Sequence, residues 1–183
     1  MERTGQKFLA IAAHADDFEL FATCTCELGD VTVCVVTKPN DKRYNELLCA
    51  ADILGYEAIF LNLIDGFVYT QDIRGGIARL FAEYRPDVVL THDPWKRWQL
   101  HPDHRAVGIQ TIDAITQARL LCTHIPHEVW LWNTDYPDLT IPLRDLSRKT
   151  DALRCYVSQG FDKPQQVSHF DSFKLIVPQE VMG

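Results

Sequence analysis

The sequence predicts an α/β fold with a mainly parallel sheet, and three observations carry that prediction. Short apolar runs alternate with longer amphipathic segments along the 183 residues. Three of the first four runs are nearly continuous in apolar residues, as expected of strands covered on both faces. Strand and helix signals also interleave instead of forming separate blocks, which implies parallel pairing through crossovers.

The runs at residues 8–13, 31–37, 58–63 and 87–92 have strand length. Between the second and third, residues 43–54 place Leu47, Leu48, Ala51 and Leu54 at helical spacing, and Gly55 is a suitable stop. Between the third and fourth, residues 72–84 put Ile73, Ile77, Leu80 and Phe81 on one face, and Pro86 closes the segment. A long helix is expected from Pro102 to about Leu121, because proline suits the first helical position, where a missing N–H costs nothing. Residues 128–133 read as a strand, 140–143 as a short extended piece, 145–159 as a helix and 173–177 as a last strand. No repeat, low-complexity tract or linker divides the chain, so one domain over residues 1–183 is expected.

Bulk properties narrow the function. Hydrophobic residues at 46% and charged residues at 23% suit a globular chain that buries a core. No apolar run approaches the roughly 20 residues of a membrane span. The stretch Met1 to Lys7 leads into six apolar residues, too few for a signal-peptide core, so a cytoplasmic location is expected. A net charge of -7 argues against a nucleic-acid partner, since phosphate contacts need clustered Lys and Arg. The six cysteines (Cys24, Cys26, Cys34, Cys49, Cys122, Cys155) are scattered and read as reduced, small hydrophobes. Cys24-Thr25-Cys26 lacks the second half of a structural zinc site.

In a parallel sheet, ligands collect beyond the carboxyl ends of the strands. His14-Ala15-Asp16-Asp17 follows the first run; His92-Asp93-Pro94-Trp95 and then His101-Pro102-Asp103-His104 follow the fourth. Imidazole nitrogen and carboxylate oxygen are good zinc ligands, and a catalytic site uses three of them plus an open water position. Ligands three apart come to one side where a strand turns into a helix, and also at the start of a helix. Either motif alone is weak: paired histidines are common on helix surfaces, and Asp16 is equally suited to capping a helix. Their joint placement on one sheet edge points to a metal centre. Two neutral imidazoles and one carboxylate would leave a divalent ion a net charge of about +1 and a useful Lewis acidity.

Residues 13–20, Ala-His-Ala-Asp-Asp-Phe-Glu-Leu, resemble the AHPDD-x-E-L signature of the PIG-L/LmbE-like N-deacetylases, and residues 100–108, Leu-His-Pro-Asp-His-Arg-Ala-Val-Gly, resemble its HPDHRAVG. Arg43-x-x-Glu46, Leu63-x-Asp65-Gly66, Arg85-Pro86-Asp87 and Thr91-His92-Asp93-Pro94-Trp95 follow in the family's order, so the resemblance spans roughly residues 7 to 160. It implies a Rossmann-like three-layer fold and hydrolysis of an N-acetyl group from an amino sugar, such as N-acetylglucosamine, or a sugar conjugate. It implies Zn2+, or another divalent ion such as Fe2+, on His14, Asp17 and His104. Asp16 matches the general base, His101 the histidine that stabilises the oxyanion or delivers a proton, and Arg43 a substrate-binding arginine. Asp93 or Asp103 would orient an imidazole from behind. Relatives often assemble in threes or sixes, which implies a homo-oligomer.

The sequence departs from the pattern at Ala15, where the family has proline, and at residues 21–26, where its glycine-rich stretch has no glycine here. The pocket floor is therefore expected to differ. Trp98 and Arg97, just before His101, are placed to stack on a sugar and pair with an anionic group, with Trp95 and Lys96 beside them. Trp130 and Trp132 alternate in a strand and read as packing residues. The competing function is a catalytically silent domain that binds a metal and a sugar; Asp16 and His101, which such a binder does not need, favour the enzyme. No Gly-x-Gly-x-x-Gly follows the first strand, which argues against a dinucleotide cofactor.

Overall fold

The computed structural model describes residues 5–161 and 167–178. Its strands are β1 (Gln6–Ala12), β2 (Gly29–Thr37), β3 (Glu57–Leu63), β4 (Val88–His92), β5 (Glu128–Trp132), β6 (Leu139–Pro142) and β7 (Phe170–Ile176). They form one sheet in the order β3-β2-β1-β4-β5-β7-β6. The first five are parallel, and β7 then runs antiparallel between β5 and β6. The helices are α1 (Asp17–Phe21), α2 (Asp41–Leu54), α3 (Arg74–Tyr84), α4 (Pro102–Leu120) and α5 (Leu146–Arg154). Among the described residues, no helix is long and apolar enough to cross a membrane.

Strand β1 shows why the sheet is covered twice. Phe8, Ala10 and Ala12 enter a core with Leu47, Ala50 and Leu54 of α2 and Ala152 of α5. Leu9 and Ile11, pointing the other way, meet Ile77 and Phe81 of α3 and Val107, Ala114 and Ala118 of α4. Alternate side chains of a strand take opposite faces, so an uninterrupted apolar run needs a helical layer on each. The expected three-layer α/β fold is the one observed.

The ends of the helices follow local chemistry. The Asn40 side chain accepts the Arg43 amide and starts α2 two residues before the predicted onset, while Gly55 at φ 72° ends it. The segment predicted to be helical from 72 begins at Arg74, with buried Ile73 as its N-cap. The helix expected over 145–159 stops at Arg154, because Tyr156 turns fully into the core and only a 3-10 turn, Val157–Gln159, follows. Strand β7 starts three residues earlier than the predicted 173.

The glycine-free stretch after α1 forms a 3-10 turn, Thr23–Glu27. Its donors are met from the far end of the chain: Asp171 accepts the Cys24 amide at 2.9 Å and the Thr23 hydroxyl at 3.3 Å. Lys149 donates to Asp171 at 2.5 Å, and both side chains are buried. The reading of all cysteines as reduced needs correction. Cys49 on α2 and Cys155 after α5 are disulfide-bonded with Cα atoms 6.0 Å apart, because these segments pack side by side despite a separation of 106 residues. Cys24, Cys26 and Cys34 are buried thiols outside any disulfide, and Cys122 is an exposed one.

Candidate functional site

The strand order reverses between β1 and β4: the chain moves one way to β2 and β3 and the other way to β5. At such a point the loops leaving neighbouring strands part, and a crevice opens beyond their carboxyl ends. The loop after β1 carries His14, Asp16 and Asp17, and β4 leads through His92 to His101 and His104 at the start of α4. A cleft of about 340 Å³ lies there, lined by His14, Asp16, Asp17, His101 and His104 among others.

Close helix packing delivers the second loop. A Cβ on Gly108 would lie 2.5 Å from the His92 carbonyl oxygen, so only glycine lets α4 approach β4 this closely. His101 caps α4 by accepting the Asp103 amide on Nδ1 at 3.3 Å, and Pro102 takes the first helical position. That bond leaves the His101 proton on Nε2. Burial, then the neighbouring His14 and His104, hold His101 below the ordinary histidine value, so Nε2–H acts as a neutral donor. The first loop is bent instead. Asp16 sits at φ 105°, a left-handed conformation that costs on the order of 1–3 kcal/mol outside glycine.

Among the described residues, three overlapping trios of possible metal ligands have donor atoms within 4.8 Å of one another: His14–His101–His104, Asp17–His92–His104 and His14–Asp65–Asp103. The set expected from sequence cuts across the first two. His14 Nδ1 lies 3.2 Å from His104 Nε2 and 3.6 Å from Asp17 Oδ2, and His104 Nε2 lies 3.3 Å from Asp17 Oδ1. These separations, taken to different oxygens of Asp17, lie near the edge of about 3.3–3.4 Å of a tetrahedral ion with bonds of about 2.0–2.1 Å, so the three side chains are candidate ligands of one ion.

The electrostatics also favour a cation. Burial alone would lower His14, but the carboxylates of Asp17, Asp65 and Asp103 outweigh it and raise its pKa to about 9. Burial opposes ionisation of Asp17, yet His92, His104 and His14 hold its carboxyl well below the usual range. Asp16 behaves differently: burial and the charge of Asp17 raise it to about 7, against the pull of Arg43. Adjacent aspartates therefore divide into a firmly ionised carboxylate and one of near-neutral basicity.

The supporting residues match the expected pair only in part, at Asp103. Asp65, with Oδ1 3.1 Å from His14 Nε2, orients that imidazole, and buried Asp103 stands 3.6 Å from the same nitrogen. Asp103 also accepts the Gly66 and Val68 amides, at 2.6 and 3.0 Å, and so holds the Asp65 loop in place. Asp93 orients no imidazole; its carboxylate accepts the Trp95 amide at 2.9 Å. Arg43 lines the cleft, but its guanidinium is engaged with the Ala15 carbonyl at 2.5 and 3.0 Å and with Asp16 at 2.8 Å. It clamps the loop at the position where proline is missing. Arg97 lines a separate cleft with Trp95, Lys96 and Tyr136, and Trp98 is 82% exposed and lines neither.

The sequence reading gave no role to His92, Asp65, Gln159 or the indole of Trp132. His92 is fully buried, and its Nε2 lies 3.2 Å from Asp17 Oδ2. Gln159 lines the cleft from the 3-10 turn after α5. The one signal that pointed towards His92 was its position at the carboxyl end of β4.

A profile of the family described as GlcNAc-PI de-N-acetylase, PIG-L, matches residues 9–115, which contain every proposed ligand. The chain belongs to the PIG-L family. Diacetylchitobiose deacetylase of Thermococcus kodakarensis is 31% identical over 132 residues, covering 64% of this chain and 49% of that protein. The PIG-L chain thus spans about half the length of that relative. The N,N'-diacetylchitobiose deacetylase of Pyrococcus horikoshii superposes with a TM-score of 0.78 at 20% identity, covering 95% of this chain and 85% of the other. The 4-carboxy-2-hydroxymuconate hydratase of Pseudomonas putida KT2440 superposes with a TM-score of 0.71 at 16% identity, covering 94% and 97%. One fold thus serves deacetylases and a hydratase, and the reaction must be argued from the site.

Proposed function

We propose that this protein is a metal-dependent hydrolase that removes an N-acetyl group from an amino sugar or sugar conjugate. The observation that carries this reading is the company Asp16 keeps. A carboxylate of near-neutral basicity shares one cleft with a three-ligand centre and with the Nε2–H of His101. The similarity to a diacetylchitobiose deacetylase over 132 residues supports the substrate class.

In this reading His14, Asp17 and His104 hold the ion, with Zn2+ or Fe2+ both compatible with their N and O donors. The bound ion would polarise the amide carbonyl and make a water acidic enough to ionise near neutral pH. Asp16 takes the proton from the attacking water and returns it to the departing amine, which makes it both general base and general acid. Arg43 fixes the Asp16 carboxylate for both transfers through its 2.8 Å contact. His101 directs Nε2–H at the developing oxyanion, a type of contact that contributes about 3–4 kcal/mol in acyl-transfer enzymes. Water supplies the oxygen of the acetate, and the amine leaves neutral.

The test is acetate release from a panel of N-acetylated sugars and their conjugates, with metal-loaded protein and with chelator-treated protein. Turnover that chelator abolishes and Zn2+ or Fe2+ restores is expected. Turnover that persists through chelation would overturn the metal-dependent reading. Silence across the panel, in protein that holds metal, would favour the non-catalytic binder.

A further inference from the structure

Behind the candidate centre lies a fully buried pair that the proposed chemistry does not use. His92, the last residue of β4, and Trp132, the last of β5, face each other across adjacent parallel strands. The Trp132 indole N–H donates to His92 Nδ1 at 3.1 Å. On the other side, His92 Nε2 lies 3.2 Å from Asp17 Oδ2, and the Ala13 amide N–H also points at it from 3.2 Å. The face of the His92 ring stacks on His104, with centroids 4.1 Å apart and planes at 19°. One buried imidazole therefore touches two of the three proposed ligands.

Its neighbours decide its tautomer. An indole N–H can only donate, so Nδ1 must be bare to receive it. The single proton of the neutral ring then sits on Nε2, where the Asp17 carboxylate accepts it. The opposite tautomer would satisfy only the Ala13 amide. It would set two N–H groups against each other at Trp132 and two bare acceptors against each other at Asp17. The Nε2–H form satisfies the carboxylate and the indole and gives up the bond from the Ala13 N–H; it is preferred because two contacts are met instead of one and a hydrogen bond to a charged group is the stronger. Oδ2 of Asp17 is thereby taken up by His92 and by the His14 amide at 2.7 Å. Oδ1 is left facing His104 Nε2, on the side of the centre.

We propose that Trp132 and His92 form a positioning relay for the metal centre. Trp132 fixes the His92 tautomer, His92 fixes which oxygen Asp17 presents to the ion, and the His92 ring face braces His104. The relay rests on the metal-centre reading above. Neither residue touches substrate; both act through ligands.

The experiment combines zinc affinity with nitrogen chemical shifts. Zinc dissociation constants are measured by chelator competition on the full chain, as wild type, His92→Phe, His92→Gln and Trp132→Phe. His92→Phe keeps a ring to stack on His104 but loses the hydrogen bond. It is expected to weaken zinc binding by about 10–100-fold, the usual effect of removing a partner that orients a ligand. His92→Gln places an amide N–H near the position of Nε2 and should recover most of that loss. Trp132→Phe should fall between wild type and His92→Phe. In the wild type, nitrogen shifts of His92 should report the Nε2–H tautomer, and Trp132→Phe should admit the other form. Wild-type zinc affinity in both His92→Phe and Trp132→Phe, or an Nδ1–H tautomer in the wild type, would overturn the relay alone. A wild-type chain that binds no zinc or iron would instead overturn the metal-centre reading on which the relay depends.

Discussion

Residues 13–27 are anchored mainly by side chains far away in sequence, whereas residues 92–108 add local caps to distant anchors at Trp132, Asn133 and Asp135. In the first loop, Arg43 clamps the Ala15 carbonyl, Tyr56 donates to Glu19, and Asp171 secures the following turn with Lys149 behind it. In the second, Asp93 accepts the Trp95 amide, His101 caps α4, Arg105 donates to the Gln99 carbonyl, and Gly108 permits the close approach to His92. Both loops contribute to one centre. The contrast implies that the first loses its shape when a distant anchor is removed, whereas the second keeps its local caps when one distant anchor is lost.

Four variants break or sharpen that contrast. The largest effect is expected for Lys149→Met, which leaves Asp171 buried without its cation. Breaking a buried pair from one side costs about 3–5 kcal/mol, read by denaturant unfolding, and the 23–27 turn should lose hydrogen-exchange protection. A loss below about 1 kcal/mol would show that the first loop needs no distant anchor.

Next comes Cys49→Ser, which opens the link between α2, the helix that carries Arg43, and the segment after α5. A native disulfide closing a long loop contributes about 2–4 kcal/mol, so reductant should lower the wild-type midpoint to that of the variant. Two free thiols at these positions in protein never exposed to reductant would contradict the bond.

Gly108→Ala strikes inside the second loop. Its new methyl meets backbone at 2.5 Å, which nothing flexible can relieve. A destabilisation of about 1–3 kcal/mol is expected, together with weaker metal binding through a displaced His104. Unchanged metal affinity would separate α4 packing from ligand placement. The smallest effect is expected for Trp98→Ala, with stability within about 0.5 kcal/mol of wild type because the side chain is 82% exposed. KM for an N-acetylated sugar should also hold, since Trp98 lines neither cleft described above; a raised KM would restore the stacking role that its place in the sequence suggested.

The same contrast explains what could be read from sequence. The apolar runs of β1, β2 and β4 disclosed a doubly covered parallel sheet, because burial on both faces removes the alternation that a one-sided strand shows. His14, Asp17, His101 and His104 were legible because short spacings within one turn carry their own geometry. Arg43 was legible as a residue but not in its contacts: its partners are the Ala15 carbonyl and Asp16, 28 and 27 positions away, and no local pattern encodes such a pairing. His92 and Trp132 looked like a strand end and a packing residue. Their hydrogen bond depends on the register of β4 against β5, which only the assembled sheet sets. The disulfide was hidden for the same reason, since it reports how α2 and α5 pack.

The most direct test of the account compares two adjacent residues, Asp16→Asn and Asp17→Asn, with metal content and acetate release measured on the same preparations. Asp16→Asn should retain stoichiometric metal and lose nearly all turnover, because the ligands remain while the proton carrier is gone. Asp17→Asn should lose both, because the carboxylate that completes the centre is gone. Full turnover in Asp16→Asn, or undiminished metal in Asp17→Asn, would contradict the assignment of base and ligand on which the account rests.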